Sequence, residues 1–162
     1  MNWYVVLYLA AALSANLIVV EYGPSVTILT GFLFIGLDLT SRDKLHDAWE
    51  GKNLWLKMFA LIATGSLISW IVNRDAGQIA IASLIAFMLA GLSDAVIYHW
   101  LRHTKWFTRV TGSNAVSALV DSIAFPTIAF GSFLPMIVLG QYVAKVSGGF
   151  VWAWIISKFK KD

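Results

Sequence analysis

The sequence predicts an all-α integral membrane protein, a bundle of six transmembrane helices with both termini in the cytoplasm. Two observations lead to this prediction: the composition of the chain and the spacing of its charges. Hydrophobic residues make up 59% of the chain and charged residues 13%, and the mean hydropathy is +0.73. Soluble domains are roughly half apolar and about a quarter charged. The composition therefore favours a chain that lies mostly in lipid.

Long stretches with almost no charge separate the charged clusters. The hydrocarbon core of a bilayer is about 30 Å thick, and a helix needs roughly 20 apolar residues to cross it. Six stretches fit or nearly fit this length: residues 3–20, 26–40, 54–72, 78–101, 113–130 and 133–157. The second is short unless it continues past Asp38. The connections are short, so we expect a single transmembrane domain over residues 1–162 without a soluble catalytic domain.

Other classes fit the sequence less well. A soluble bundle needs a polar stripe on each helix, which residues 54–72 lack, and strands would alternate polar with apolar residues. The first span has no basic segment before it, so we expect it to be retained and not cleaved as a signal peptide. The net charge of +3 is explained by basic loops facing anionic lipid, without a nucleic-acid partner.

No cofactor is expected. The chain has no cysteine, which excludes disulfides and thiolate metal sites. His99 and His103 are spaced by four residues, but no third metal ligand is evident in the sequence. No phosphate-binding loop of the Gly-x-x-x-x-Gly-Lys-Ser/Thr kind is present, so this polypeptide is not expected to hydrolyse ATP by that route.

The orientation follows from the positions of lysine and arginine. The basic residues of the second and fourth connections and of the C-terminal tail are Arg42, Lys44, Lys52, Arg102, Lys105, Arg109, Lys158, Lys160 and Lys161. Arg74 is the one lysine or arginine in the first, third and fifth connections taken together. With six spans, all the basic segments fall on one side, which the positive-inside rule assigns to the cytoplasm.

Polar residues inside the predicted spans are the candidates for function, because charge at mid-membrane is costly and such side chains face the bundle interior. In the fifth span, Asn114, Ser117, Asp121 and Phe125 share one helical face through steps of three and four residues. Lys145 lies near the middle of the sixth span, one turn after Gln141. Asp121 and Lys145 are therefore expected at similar depth on consecutive antiparallel helices. They either form a structural ion pair or share a polar ligand.

Asp38 and Asp94 lie nearer the cytoplasmic ends of the second and fourth spans. The spacing of Asp38 and Arg42 favours an ion pair at a helix end. Asp94 precedes His99 and Arg102, which are candidate partners for it. Asn16 is expected to hydrogen-bond across helices.

Proline and glycine mark two weak points in the last spans. Pro126 lies inside the fifth span, where it removes a backbone hydrogen bond next to Asp121 and is expected to open a cavity there. Gly148 and Gly149 follow Lys145. Interrupted helices at mid-membrane commonly mark the binding sites of transporters.

Four segments that contain these residues resemble a known protein family. The segments Phe34 to Arg42, Ala90 to Asp94, Ser113 to Phe125 and Gln141 to Lys145 resemble, in order, the queuosine-precursor transporter family, also called vitamin-uptake-transporter-like. The resemblance covers roughly residues 25–160. Gln141 departs from the family pattern, where a more acidic residue is expected.

The resemblance implies a six-span protein of the bacterial inner membrane that takes up 7-cyano-7-deazaguanine or a related deazapurine base. The implied substrate-binding residues are Asp121, Lys145, Asn114, Ser117, Phe125, Asp94, Gln141 and Asp38. A carboxylate can accept from the N–H and amino groups of such a base, a lysine or amide can donate to its carbonyl, and an aromatic ring can stack on it.

Three other functions stay open at this point. The chain could be the substrate-binding subunit of an ATP-driven uptake complex, a structural membrane protein without a transport role, or an intramembrane enzyme. The sequence shows no Ser–His arrangement for the enzyme, and the one paired-aspartate arrangement that stays possible is Asp94 with Asp121. A homodimer is a candidate assembly for so small a bundle.

The predicted topology can be tested with reporter fusions. Fusions after Gly23, Asp75 and Gly131 should report the periplasm, and fusions after Asp47, after Lys105 and at the C-terminus should report the cytoplasm, because the basic connections stay inside. Alkaline phosphatase activity and fluorescence of a cytoplasmic reporter measure the two locations. A periplasmic C-terminus would contradict the six-span arrangement.

Overall fold

The computed structural model describes residues 3–49, 51 and 53–158, which are helical apart from short turns and contain no strand. The helices are α1 (Trp3–Tyr22), α2 (Thr27–Thr30), α3 (Gly36–Trp49), α4 (Leu54–Val72), α5 (Gly77–Trp100), α6 (Trp106–Phe130) and α7 (Pro135–Lys158). Turns of 3-10 helix, Pro24–Val26 and Arg74–Ala76, precede α2 and α5. A π-helical segment, Gly31–Ile35, joins α2 to α3.

Six helical stretches of the described chain are long and apolar enough to cross a bilayer. This confirms the all-α fold and the six spans predicted from the sequence. The second of them is composite, because the 3-10 turn, α2, the π segment and α3 follow one another without a break over Pro24–Trp49. We refer to it below as the second span.

The second span continues well beyond Thr40, where the sequence suggested a connection. Arg42, predicted to lie in the second connection, is instead 3% exposed inside the bundle, and its neighbour Asp43 is 4% exposed. The charges are tolerated there because they face other polar side chains of the interior and not lipid. Lys52, Lys160 and Lys161, which also contribute to the topology prediction, lie outside the described residues.

The spans pack as a closed ring. The second span lies between α1 and α7, α6 packs on α7 and α5, and α4 completes the ring by packing on α5 and α1. The core that results includes Tyr8, Ala12, Ala15, Leu39, Leu61, Ile62, Phe87 and Ala118. Large apolar side chains such as Leu56, Leu67 and Ile81 point outward, as expected for a surface in contact with lipid.

Two glycines allow the second span and α7 to touch backbone to backbone. A Cβ atom added to Gly36 would lie 2.6 Å from the carbonyl carbon of Gly148, and one added to Gly148 would collide with the carbonyl oxygen of Phe32. Next to this contact, the Trp152 indole N–H donates to the carbonyl oxygen of Leu33 at 2.9 Å. The π segment is therefore tied to α7 by packing and by a hydrogen bond. Small residues at such crossings are typical of membrane helix interfaces.

This contact yields a prediction with a matched control. Gly148→Ala should destabilise the protein by about 1–3 kcal/mol, because the new methyl group overpacks a backbone contact. Gly149→Ala should be neutral or stabilising, since an added Cβ at Gly149 meets nothing within 4 Å. Thermal unfolding of the purified variants in detergent measures both. Equal midpoints for the two variants would contradict the assigned contact.

Candidate functional site

A buried ion pair lies between α6 and α7. Lys145 Nζ donates to Asp121 Oδ2 at 2.6 Å and to Gln141 Oε1 at 2.7 Å. The side chains of Lys145 and Asp121 are 3% and 4% exposed. Gln141 and Lys145 are one turn apart on α7, so both reach the same face of α6. The expected meeting of Asp121 and Lys145 is confirmed.

The pair leaves one acceptor and one donor unused. Asp121 Oδ1 and Gln141 Nε2 are buried and have no hydrogen-bond partner among the residues that the structure describes. An ammonium group can only donate, so the carbonyl oxygen of Gln141 must face Lys145 and its NH2 group must face away. Buried polar groups are almost always paired, so these two atoms point to a ligand or a water molecule that completes them.

Both groups line a small cavity in the bundle. Its wall includes the aromatic rings of Phe87 and Phe125 and the polar side chains of Asn16, Thr27, Thr30 and Ser83. The cavity measures about 20 Å³, which is room for about one water molecule. The bundle is therefore closed around the ion pair, and a larger solute requires the helices to separate.

The cavity borders Phe125, the residue before Pro126, and the expected opening of a cavity by Pro126 stays a prediction. Pro126 is fully buried inside α6, and Phe125 before it packs edge-on against Phe130 with the ring centroids 6.2 Å apart. The helix itself is continuous through the proline.

A second polar cluster lies among α3, α5 and α6, away from the cavity. Arg42 Nη2 donates to Ser117 Oγ at 3.0 Å and lies 3.7 Å from Asp94 Oδ1. Asn114 Nδ2 donates to Asp43 Oδ2 at 2.7 Å. Asn114, Ser117 and Asp94, grouped with Asp121 as candidate binding residues, thus contact α3 residues and do not line the cavity.

The ion-pair partners predicted for Asp38 and Asp94 are wrong. Asp94 meets Arg42, and Arg102, expected near Asp94, contacts His99 and His103 instead. Asp38 makes no hydrogen bond to Arg42. The reason is the length of the second span, which carries Arg42 into the bundle next to α5 and α6.

Asp38 makes no hydrogen bond to either cluster. It is 1% exposed, and neither of its oxygen atoms has a hydrogen-bond partner within the described part of the chain. It does not line the cavity.

The Asn16 side chain joins three helices, as expected. Asn16 Nδ2 donates to Ser69 Oγ at 3.0 Å, and Ser83 Oγ donates to Asn16 Oδ1 at 2.6 Å. This network reaches the edge of the cavity. Sequence reasoning missed Phe87, Thr27, Thr30 and Ser83, because apolar and small hydroxyl residues occur on every span and carry no signal of their own.

A larger cavity of about 200 Å³ lies among α3, α4 and α5. Its lining is mostly apolar, with Trp55, Met58, Phe59 and Met88, while Arg42 and Asp94 border it. Arg42 and Asp94 form an ion pair there at 3.7 Å, and Asp94 Oδ1 and Arg42 Nε make no hydrogen bond to any described residue. The smaller cavity combines a hydrogen-bonded ion pair with an unpaired acceptor, an unpaired donor and two aromatic rings, so we take it as the candidate site.

A bundle of membrane-spanning helices with a charged pair and unpaired polar atoms around a closed central cavity is typical of solute transporters. The chain belongs to the family described as "Putative vitamin uptake transporter", whose profile matches residues 7–158. This confirms the family indicated by the sequence motifs, and with the six spans it makes the chain a multi-pass membrane protein.

One similar protein has a more specific name than the family. A Haemophilus influenzae protein named "Probable queuosine precursor transporter" is 27% identical over 120 residues, which cover 64% of this chain and 50% of that protein. The chain thus spans about half the length of the curated relative. No solved structure is significantly similar to the chain.

The ion pair makes a prediction about stability. Lys145→Met should destabilise the protein by about 3–5 kcal/mol, because it leaves a buried carboxylate unpaired. The double replacement Asp121→Leu/Lys145→Met should recover most of that loss, since an apolar pair of similar volume needs no partner. The free energy of unfolding in detergent measures the difference. Lys105→Met, at an exposed position, is the control, and a double variant no more stable than the single one would contradict the pairing.

Proposed function

We propose that this protein takes up a queuosine precursor, 7-cyano-7-deazaguanine or a related deazapurine base, across the bacterial inner membrane. Three findings support the proposal: membership of the vitamin-uptake family, similarity to a protein named as a queuosine precursor transporter, and the chemistry of the cavity. The observation that carries most weight is the unpaired acceptor of Asp121 beside the unpaired donor of Gln141 in one closed cavity.

The cavity offers what one edge of a deazaguanine needs. Such a base presents a ring N–H and an exocyclic amine as donors, next to a carbonyl oxygen. Asp121 Oδ1 is free to accept, and Oδ2 keeps capacity beyond its bond to Lys145, because a carboxylate has about four lone-pair sites. The Gln141 amide and the remaining proton of the Lys145 ammonium can donate to the carbonyl. Phe87 and Phe125 provide faces on which the base can stack.

The remaining predicted residues have another role in this proposal. Asn114, Ser117 and Asp94 bind α3 residues, so they hold α3 to α5 and α6 and keep the wall of the site in place. The cavity of about 20 Å³ is too small for a deazapurine base. Opening needs movement of the helices around Asp121 and Lys145, as in other transporters with mid-membrane sites.

Uptake can be tested in cells that neither synthesise nor import the precursor. Expression of this chain should restore queuosine in tRNA at low external 7-cyano-7-deazaguanine. Asp121→Asn should lower uptake by about 100-fold at an unchanged level in the membrane. The amide places a donor against a donor of the base, and losing a hydrogen bond to a charged group in a dry site costs about 3 kcal/mol. The double variant Asp121→Leu/Lys145→Met should fold and not transport.

Asp75→Asn is the matched control, because Asp75 is an exposed aspartate of a connection and its replacement should leave uptake unchanged. Transport of the base by the double variant would refute the assigned site. Uptake that appears only when an ATPase and a scaffold protein are coexpressed would favour the subunit of an ATP-driven complex.

A further inference from the structure

The buried charges of the bundle do not balance. Among the described residues, the charged side chains that are buried are four carboxyl groups and two cations: Asp38, Asp43, Asp94, Asp121, Arg42 and Lys145. If all were ionised, the interior would hold two net negative charges. Uncompensated charge away from water is strongly disfavoured, and intramembrane carboxyl groups of this kind commonly carry protons in pumps and transporters.

Partners distinguish Asp38 from the other acids. Asp121 pairs with Lys145 at 2.6 Å and Asp94 lies 3.7 Å from Arg42. Asp43 accepts from Asn114 at 2.7 Å. Asp38 is the acid of this set that has neither a hydrogen bond nor an ion pair within the described residues, and it is 1% exposed. A carboxyl group in that position is best accommodated when it binds a proton.

Asp38 lies between the two polar clusters. The titratable and charged groups that interact with it come from α1, from its own helix, from α6 and from α7: Tyr8, Arg42, Asp43, Asp121 and Lys145. Within the described chain no group of three or more histidine, cysteine or acidic side chains could hold a metal ion. A single carboxyl group is enough to bind a proton, so Asp38 suits a proton without further ligands.

Lys145 packs against the second span, which carries Asp38, and its ammonium group is one of the charges that act on the Asp38 carboxyl group. The aliphatic part of Lys145 passes Gly31 of the π segment, where a Cβ would lie 3.4 Å from Lys145 Cγ. A neutral Asp38 leaves Lys145 on Asp121 and Gln141, which is the arrangement of the candidate site. An ionised Asp38 attracts the ammonium group towards the second span and away from Asp121. Proton binding and the assembled substrate site therefore favour the same state.

We propose that Asp38 is the proton site of a base–proton symport, an inference that rests on the proposed function. One proton from the external water binds the Asp38 carboxyl group, travels inward with the neutral base, and is released to the cytoplasmic water. No bond of the base is made or broken. The site thus uses the proton gradient to accumulate its substrate.

Purified protein in liposomes tests the coupling. With acid outside and labelled 7-cyano-7-deazaguanine, the wild type should accumulate the base several-fold above the external concentration, and an uncoupler should abolish the accumulation. Asp38→Asn imitates the neutral acid and cannot release a proton. It should lose accumulation and still exchange labelled for unlabelled base, while Asp75→Asn keeps both. Accumulation by Asp38→Asn equal to that of the wild type, or wild-type accumulation that ignores the pH gradient, would overturn the proposal.

Infrared spectroscopy gives a readout that does not depend on the substrate. The wild type should show the C=O band of a protonated carboxylic acid, and Asp38→Asn should lower its intensity by the contribution of one carboxyl group, while Asp75→Asn leaves it unchanged; an unchanged band in Asp38→Asn would overturn the proton site. The absence of this band from the wild type would overturn the proton site even if transport is observed. A wild type that shows the band and exchanges no deazapurine would instead overturn the proposed substrate while keeping the proton site.

Discussion

Hydrocarbon offers no hydrogen bonds, so each polar side chain carried into these spans has to find its partner inside the bundle. This constraint orders the interior. Lys145 brings α7 to α6 through Asp121, Arg42 brings α3 to α5 and α6, and Asn16 joins α1 to α4 and α5. The outer surface is left to apolar side chains, and the few polar atoms without partners become the places where chemistry with a solute or a proton can occur.

The six spans could be predicted because each needs a stretch of known length, and the meeting of Asp121 with Lys145 followed from equal depth on neighbouring helices. The helix that Asn114 and Ser117 contact could not be predicted in this way. They share the face of Asp121, but they lie nearer the start of α6, where the facing residues belong to α3. Helical spacing gives the face of a residue and not the helix that the face meets.

Arg42 shows a second limit of sequence reasoning. A cluster of charges at the end of an apolar run normally marks a connection, and the same residues inside a bundle look identical in the sequence. The structure distinguishes the two cases because Asp43 and Arg42 each find a partner on α5 or α6. Phe87 and Thr30, which line the cavity, belong to residue types that are common in every span, so only their positions in the folded chain single them out.

The glycine contact between the second span and α7 has a mechanical consequence. No side chain separates the two backbones at Gly36 and Gly148. Because close-packed backbones cannot be displaced far relative to each other, the second span and α7 move together at this point. Asp38 and Lys145 lie on opposite sides of this seam, on the two helices that it clamps. The backbones that carry these two residues are therefore held at a constant spacing, and a change in the distance between their charges has to come from the side chains.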